Sequence, residues 1–207
     1  MSLDGRRAIA ILRGVRPDEV VAVGDALYAA GVRDVEVPLN SPDPFRSVER
    51  LRTALAADCR VGAGTVLTAA DVRRAHGAGA ELIVSPNTDP RVIAATLALG
   101  MEPLPGASTP TEAFVAVEAG ARTVKVFPGE VVGPAGLRAW RSVLPPDIGL
   151  VAVGGVSAET IPDWLAAGAA GVGLGSSLYR PGRTPSEVGA LAERVVAVIA
   201  EFARRTA

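Results

Sequence analysis

The 207 residues carry 21 basic against 22 acidic side chains, a formal charge of −1, with 49% hydrophobic and 4% aromatic residues. That balance gives no electrostatic reason to expect a nucleic acid or an anionic membrane as partner, and the length suits one well-buried domain, an α/β barrel included. One cysteine, Cys59, excludes an intrachain disulfide, and one histidine, His76, excludes a multi-histidine zinc site, although a carboxylate-bound magnesium stays open. No apolar stretch is long enough to span a bilayer and the opening residues do not read as a signal, so a cytoplasmic protein is expected.

Taken in chain order, one unit recurs: a short strand rich in valine and isoleucine, a loop, an alanine-rich helix and a glycine stop. Strands are predicted at Ala8–Arg13, Val32–Val37, Arg60–Gly64, Leu82–Ser85, Glu102–Pro105, Thr123–Phe127, Gly149–Val153 and Gly171–Gly175. They read as continuous apolar runs, the pattern of parallel strands covered on both faces. The helices between them often end in glycine, as at Gly31, Gly79, Gly100, Gly120 and Gly168. Thr109-Pro110-Thr111-Glu112 and Thr184-Pro185-Ser186-Glu187 each combine a threonine cap, a proline in the first turn and a capping-box glutamate, and Asp89-Pro90 marks a similar start.

Eight such units predict a (β/α)8 TIM barrel of the α/β class, with residues 1–207 as a single domain. An open doubly wound sheet is the weaker reading. Gly62-Ala63-Gly64-Thr65-Val66-Leu67 lacks the third glycine of a dinucleotide fingerprint, and the position for its downstream acid falls in Val84-Ser85.

A barrel builds its active site at the C-terminal ends of its strands, and the unusual polar residues fall there. Arg13 ends the first strand, Glu36 lies near the end of the second, and Thr65 follows the third. Ser85 and Asn87 follow the fourth, and Ser108 and Thr109 the fifth. Lys125, the only lysine beside twenty arginines, lies within the apolar sixth strand Thr123-Val124-Lys125-Val126-Phe127. Burial lowers an ammonium pKa and frees an amine able to attack a carbonyl, which arginine cannot do. Lys125 is therefore a candidate Schiff-base nucleophile; the alternative is a snorkelling or carboxylate-paired side chain. Glu36, flanked by valines, needs a partner or a proton, and reads either as a general acid/base or as a structural ion pair with Arg13 or Lys125. Arg13 could fork a substrate carboxylate or pair with Glu36. For Thr65, Ser85 and Asn87 taken singly, loop capping is the simpler role.

The last two strands close on small residues, Val153-Gly154-Gly155-Val156-Ser157 and Leu174-Gly175-Ser176-Ser177, each expected to lie just before a helix. Glycines let backbone N–H groups approach an anion and helix N-termini favour negative charge, so two such loops in this quarter of a barrel point to a phosphate. His76, Cys59, Trp140, Trp164 and Phe202 read as solvated or packing residues.

Ile11-Leu12-Arg13-Gly14, Val35-Glu36-Val37-Pro38-Leu39-Asn40-Ser41, Val61-Gly62-Ala63-Gly64-Thr65, Val84-Ser85-Pro86-Asn87, Val124-Lys125-Val126-Phe127-Pro128 and Ala152-Val153-Gly154-Gly155 occur in an order spanning essentially the whole chain. This series resembles the class I aldolases that split 2-dehydro-3-deoxy-6-phospho sugar acids. The resemblance implies a trimeric (β/α)8 barrel, a phosphorylated 2-keto sugar acid as substrate, pyruvate and glyceraldehyde 3-phosphate as products, and neither metal nor cofactor. It implies Lys125 and Glu36 as catalytic residues, Arg13, Thr65, Phe127 and Val153 around the substrate, and Gly154, Gly155, Gly175 and Ser176 at its phosphate. Phosphogluconate-cleaving relatives commonly carry an arginine shortly after the glutamate and a threonine before the Gly-Gly pair. Asn40 and Val153 stand there in this chain, which favours the galactonate epimer over the phosphogluconate and 4-hydroxy-2-oxoglutarate alternatives. A phosphate-binding isomerase or decarboxylase, or a non-catalytic phosphosugar-binding barrel, would share the glycine loops but would not need the buried amine.

Overall fold

The computed structural model describes residues 6–206; the amino-terminal residues read above for a signal lie outside them. Its strands are β1 (Arg7–Ile11), β2 (Asp34–Pro38), β3 (Arg60–Gly64), β4 (Leu82–Val84), β5 (Glu102–Leu104), β6 (Gly106–Ala107), β7 (Thr123–Val126), β8 (Gly149–Val153) and β9 (Gly171–Leu174). The helices are α1 (Val20–Ala29), α2 (Pro44–Ala54), α3 (Ala69–Gly77), α4 (Pro90–Ala98), α5 (Pro110–Glu118), α6 (Gly129–Arg141), α7 (Ile161–Ala166) and α8 (Pro185–Thr206). Every strand pairing is parallel, in the order β5-β4-β3-β2-β1-β9-β8-β7-β6. The fifth strand, expected at Glu102–Pro105, is observed as β5, which ends at Leu104 and pairs with β4; beyond Pro105, which has no N–H to give to a ladder, β6 pairs with β7, so β5 and β6 together bring the sheet round into a nearly closed barrel.

The expected helix signals are seen at the atomic level. Thr109 accepts from the Glu112 N–H while Glu112 reaches back to the Thr109 N–H, Thr184 and Glu187 make the same reciprocal pair, and Asp89 accepts from the Arg91 N–H. All five predicted stop glycines have positive φ.

Side chains alternate across each strand. Val35, Val37, Val61, Ala63, Val124, Val126, Leu150 and Ala152 face outward into the main core beneath the helices. Ile9, Ile11, Leu82, Val84, Leu104, Val151 and Val153 form a second, smaller cluster, with Phe127 packed against it. This cluster fills the barrel. At the N-terminal ends of the strands the interior is closed by charge: Asp34 accepts from Arg7 at 3.0 Å and from Arg60 at 2.7 Å, and Glu102 accepts from Arg60 at 2.6 Å, from Thr123 at 3.2 Å and from Arg7. No described helix is long and apolar enough to cross a membrane.

Candidate active site

Two inward-facing titratable side chains at the other end of the barrel, Glu36 and Lys125, make no ion pair among the described residues. Glu36, on β2 two residues beyond Asp34, is 2% exposed, and its Oε2 has no hydrogen-bond partner among the described residues. The room it occupies is left by Gly64 on β3, where a Cβ would run into the Glu36 carboxyl group. Burial pushes the Glu36 carboxyl up to about 7, against the opposing pull of Lys125 and then Arg13. Lys125, on β7, is 7% exposed, and burial holds its amine below the usual lysine range despite the nearby Glu36. Neither Arg13 nor Lys125 makes an ion pair or hydrogen bond with Glu36 among the described residues, so the alternative reading of Glu36 as a structural ion pair is not what is seen. A carboxyl poised near neutrality beside an amine inclined to lose its proton is a combination suited to proton transfer and nucleophilic attack.

Lys125 Nζ lies 4.3 Å from the centroid of the Phe127 ring. Phe127 in turn forms part of the wall of a cavity of about 590 Å³, with Arg13, Val153, Gly154, Gly155, Gly175 and Ser176. Seven of the ten predicted site residues thus share one cavity. Lys125 and Glu36 lie in the buried interior, and Thr65 stands at the mouth after β3 with φ +57°, an uncommon conformation for a β-branched residue. Arg13 donates through Nη1 to Asn40 Oδ1 at 2.8 Å. Sequence reasoning treated Asn40 only as a missing charge; it is the partner of the arginine that faces the cavity.

The two glycine loops depart from expectation in one respect. The helices that follow begin only at Ile161 and Pro185, so neither loop abuts a helix N-terminus. Chain is spent between loop and helix on turns anchored by Ser157 and by Gly175: Leu178 and Tyr179 N–H both donate to the Gly175 carbonyl, at 2.9 and 2.8 Å. This single turn leaves the Ser176 and Ser177 N–H groups at its start, and these, like those of Gly154 and Gly155, meet no backbone carbonyl among the described residues. Gly154 and Gly155 have φ +108° and +66°, and a Cβ on Gly154 would strike the Glu130 carboxylate.

Glu130, in the first turn of α6, and Arg180, beyond the turn after β9, also line the cavity. Glu130 does not stand out in the sequence, because an acid opening a helix is commonplace, and Arg180, the first basic residue after the two glycine loops, reads there as lying beyond a phosphate site built from oriented amides. Ser85 and Thr109 serve the scaffold: Ser85 Oγ donates to the Val66 carbonyl at 2.8 Å, and Thr109 caps α5. Cys59 is buried and its thiol is pushed up to about 11, which keeps it inert. Among the described residues no group of three or more His, Cys, Asp or Glu is arranged to hold a metal ion.

Residues 2–187 match the family description "KDPG and KHG aldolase". The chain belongs to that aldolase family of carbon–carbon lyases. It is 48% identical to the probable 2-dehydro-3-deoxy-6-phosphogalactonate aldolase of Rhizobium meliloti (strain 1021), over 95% of this chain and 92% of that one. It is 46% identical to the 2-dehydro-3-deoxy-6-phosphogalactonate aldolase of Escherichia coli (strain K12), over 85% of this chain and 86% of that one. A solved structure described as native KDPGal superposes with a TM-score of 0.93 at 43% identity, covering 95% of this chain and 96% of that chain.

Proposed function

We propose that this chain cleaves 2-dehydro-3-deoxy-6-phosphogalactonate to pyruvate and glyceraldehyde 3-phosphate through a Schiff base on Lys125. The observation that carries the reading is the buried, unpaired Glu36–Lys125 combination, with its carboxyl raised to about 7 and its amine lowered, next to a cavity whose far end offers free backbone N–H groups.

Lys125 adds to the C2 ketone, and the carbinolamine loses water to give a protonated imine. Glu36 takes the C4 hydroxyl proton as the C3–C4 bond breaks. The electron pair of that bond flows into the iminium, leaving an enamine and an aldehyde. Protonation of the enamine carbon, assisted by Glu36, and hydrolysis of the imine release pyruvate and restore the amine. Arg13, oriented by Asn40, and Thr65 hold the substrate carboxylate, and Phe127 flanks the imine. Val153 faces the C4 region without a hydroxyl, and Gly154, Gly155, Gly175 and Ser176 hold the 6-phosphate.

Residues 1–207 act as one catalytic domain that works in the cytoplasm as a homotrimer. Incubation with pyruvate and borohydride tests the reading: one reduced pyruvyl group is expected on the Lys125 peptide, and labelling confined to the N-terminal amine defeats it.

A further inference from the structure

Three charged residues line the cavity: Arg13, Glu130 and Arg180. Arg13 is engaged by Asn40 and its charge acts on Glu36 and Lys125, so it serves the reacting end. Glu130 lies over Gly154, where its negative charge opposes an anion on the glycine loops. Oriented amides supply only partial charges, and a phosphate monoester carries close to two negative charges at neutral pH. Beside Glu130, such an anion needs a full positive charge.

Arg180 is the cation on that side of the cavity, four residues beyond Ser176. The chain on both sides of it is fixed. Buried Tyr179 donates its hydroxyl to Glu19 at 3.0 Å. Pro181 packs so closely on Gly14 that a Cβ there would fall 2.8 Å from its Cγ. Arg183 donates to the Ser176 and Ser177 carbonyls, each at 3.1 Å. The Arg180 guanidinium itself makes no hydrogen bond or ion pair among the described residues, whereas neighbouring Arg183 is committed to the loop.

We propose that Arg180 is the charged partner of the terminal phosphate and sets the preference for phosphorylated over unphosphorylated 2-keto sugar acids. The proposal rests on the aldolase reading above. Arg180 is exposed and makes no hydrogen bond or ion pair among the described residues, its charge reaching Glu187 only through space, so its replacement leaves the fold intact.

The test compares wild type, Arg180→Gln and Arg180→Lys on 2-dehydro-3-deoxy-6-phosphogalactonate and on its unphosphorylated counterpart. Inorganic phosphate serves as competitive probe, and pyruvate–borohydride labelling reports on the reacting end. For Arg180→Gln the ratio of kcat/KM between the two substrates is expected to fall roughly tenfold to a hundredfold, the span of a hydrogen bond to a charged group. The loss appears in KM, with weaker inhibition by phosphate and a flatter dependence on salt. Arg180→Lys recovers part of the ratio, because lysine restores the charge without the planar fork. An unchanged ratio in Arg180→Gln, or equal losses on both substrates, overturns the proposal. A wild-type protein that neither labels nor cleaves refutes the aldolase reading instead.

Discussion

Asp34 and Glu36 lie two residues apart on β2 and face the same barrel interior, yet they live in opposite electrostatic conditions. Asp34 is held by two guanidinium groups in a network that also takes in Glu102 and Thr123. Glu36 is equally buried and has no partner on Oε2 among the described residues. One pleat of strand separates a carboxylate whose charge is satisfied from one that holds its proton to about pH 7. The lower end of the barrel pairs its charges, whereas at the upper end Glu36 and Lys125 make no ion pair among the described residues. A buried polar group without a partner costs free energy.

The sharpest way to break this contrast is to remove the amine at the mouth while keeping its charge. Lys125→Arg is expected to abolish both turnover and pyruvate labelling with the fold intact, since guanidinium does not deprotonate to a nucleophile. Residual labelling elsewhere on the chain would show that the catalytic amine lies elsewhere.

Glu36→Gln comes next in size. Turnover is expected to fall on the order of 10²–10⁴-fold, the span of general acid/base catalysis, with pyruvate still bound. Its effect on stability runs the other way. A carboxyl raised from 4.5 to about 7 binds its proton more tightly in the folded state, so the stability of the wild type declines as pH rises through that window and then levels off. Glutamine does not titrate. Chemical denaturation from pH 4 to 9 should therefore show a smaller decline in Glu36→Gln, and coincident curves would mean that Glu36 is ionised and solvated in the native protein.

At the floor the expected outcome is reversed: stability suffers and chemistry does not. Asp34→Asn leaves the Arg7 and Arg60 guanidinium groups short of a counter-charge. Breaking a buried pair costs about 3–5 kcal/mol, and the lower end applies here because Arg60 is 40% exposed. Denaturant midpoints measure this directly, with kcat expected within twofold of wild type. A destabilised Glu36→Gln beside an unaffected Asp34→Asn would invert the comparison.

The mouth was more legible in the sequence than the floor. Lys125 and Glu36 stand out because each charge interrupts an apolar run, and the recurring strand, helix and glycine stop mark out the barrel. Arg7, Asp34, Arg60, Glu102 and Thr123 each occupy the first position of a strand, where a polar residue looks like a boundary. Only closure of the barrel brings together residues as far apart as Arg7 and Glu102, and a single sequence carries no mark of that pairing. The break at Pro105 was not foreseeable from its missing N–H alone, because Pro103 lacks one too and lies within β5. The distance from the glycine loops to their helices was not either, because Gly-Gly and Gly-Ser-Ser announce close backbone approach without saying how many residues the following turn consumes. That Glu130 and Arg180 line the same cavity was hidden for the same reason.

The smallest expected effect concerns Val153, which joins the apolar filling of the barrel to the cavity. It is 6% exposed, packs in the interior cluster and lies close against Gly173, while also forming part of the cavity wall. Threonine has nearly the same shape, so Val153→Thr can keep a methyl group against Gly173 and turn its hydroxyl toward the substrate. The wild type is expected to favour the phosphogalactonate epimer, and the variant to gain on the phosphogluconate epimer, whose C4 oxygen would then have a donor within reach. One hydrogen bond to a neutral partner contributes about 0.5–1.5 kcal/mol, roughly threefold to tenfold in the ratio of kcat/KM. If the added hydroxyl turned into the barrel instead, it would be buried among Ile11 and Val151 without a partner, and the protein would lose stability with no change in selectivity. Measuring both epimers and the denaturation midpoint on the same variant separates these outcomes, and a wild type that already prefers phosphogluconate would remove Val153 as the basis of the preference.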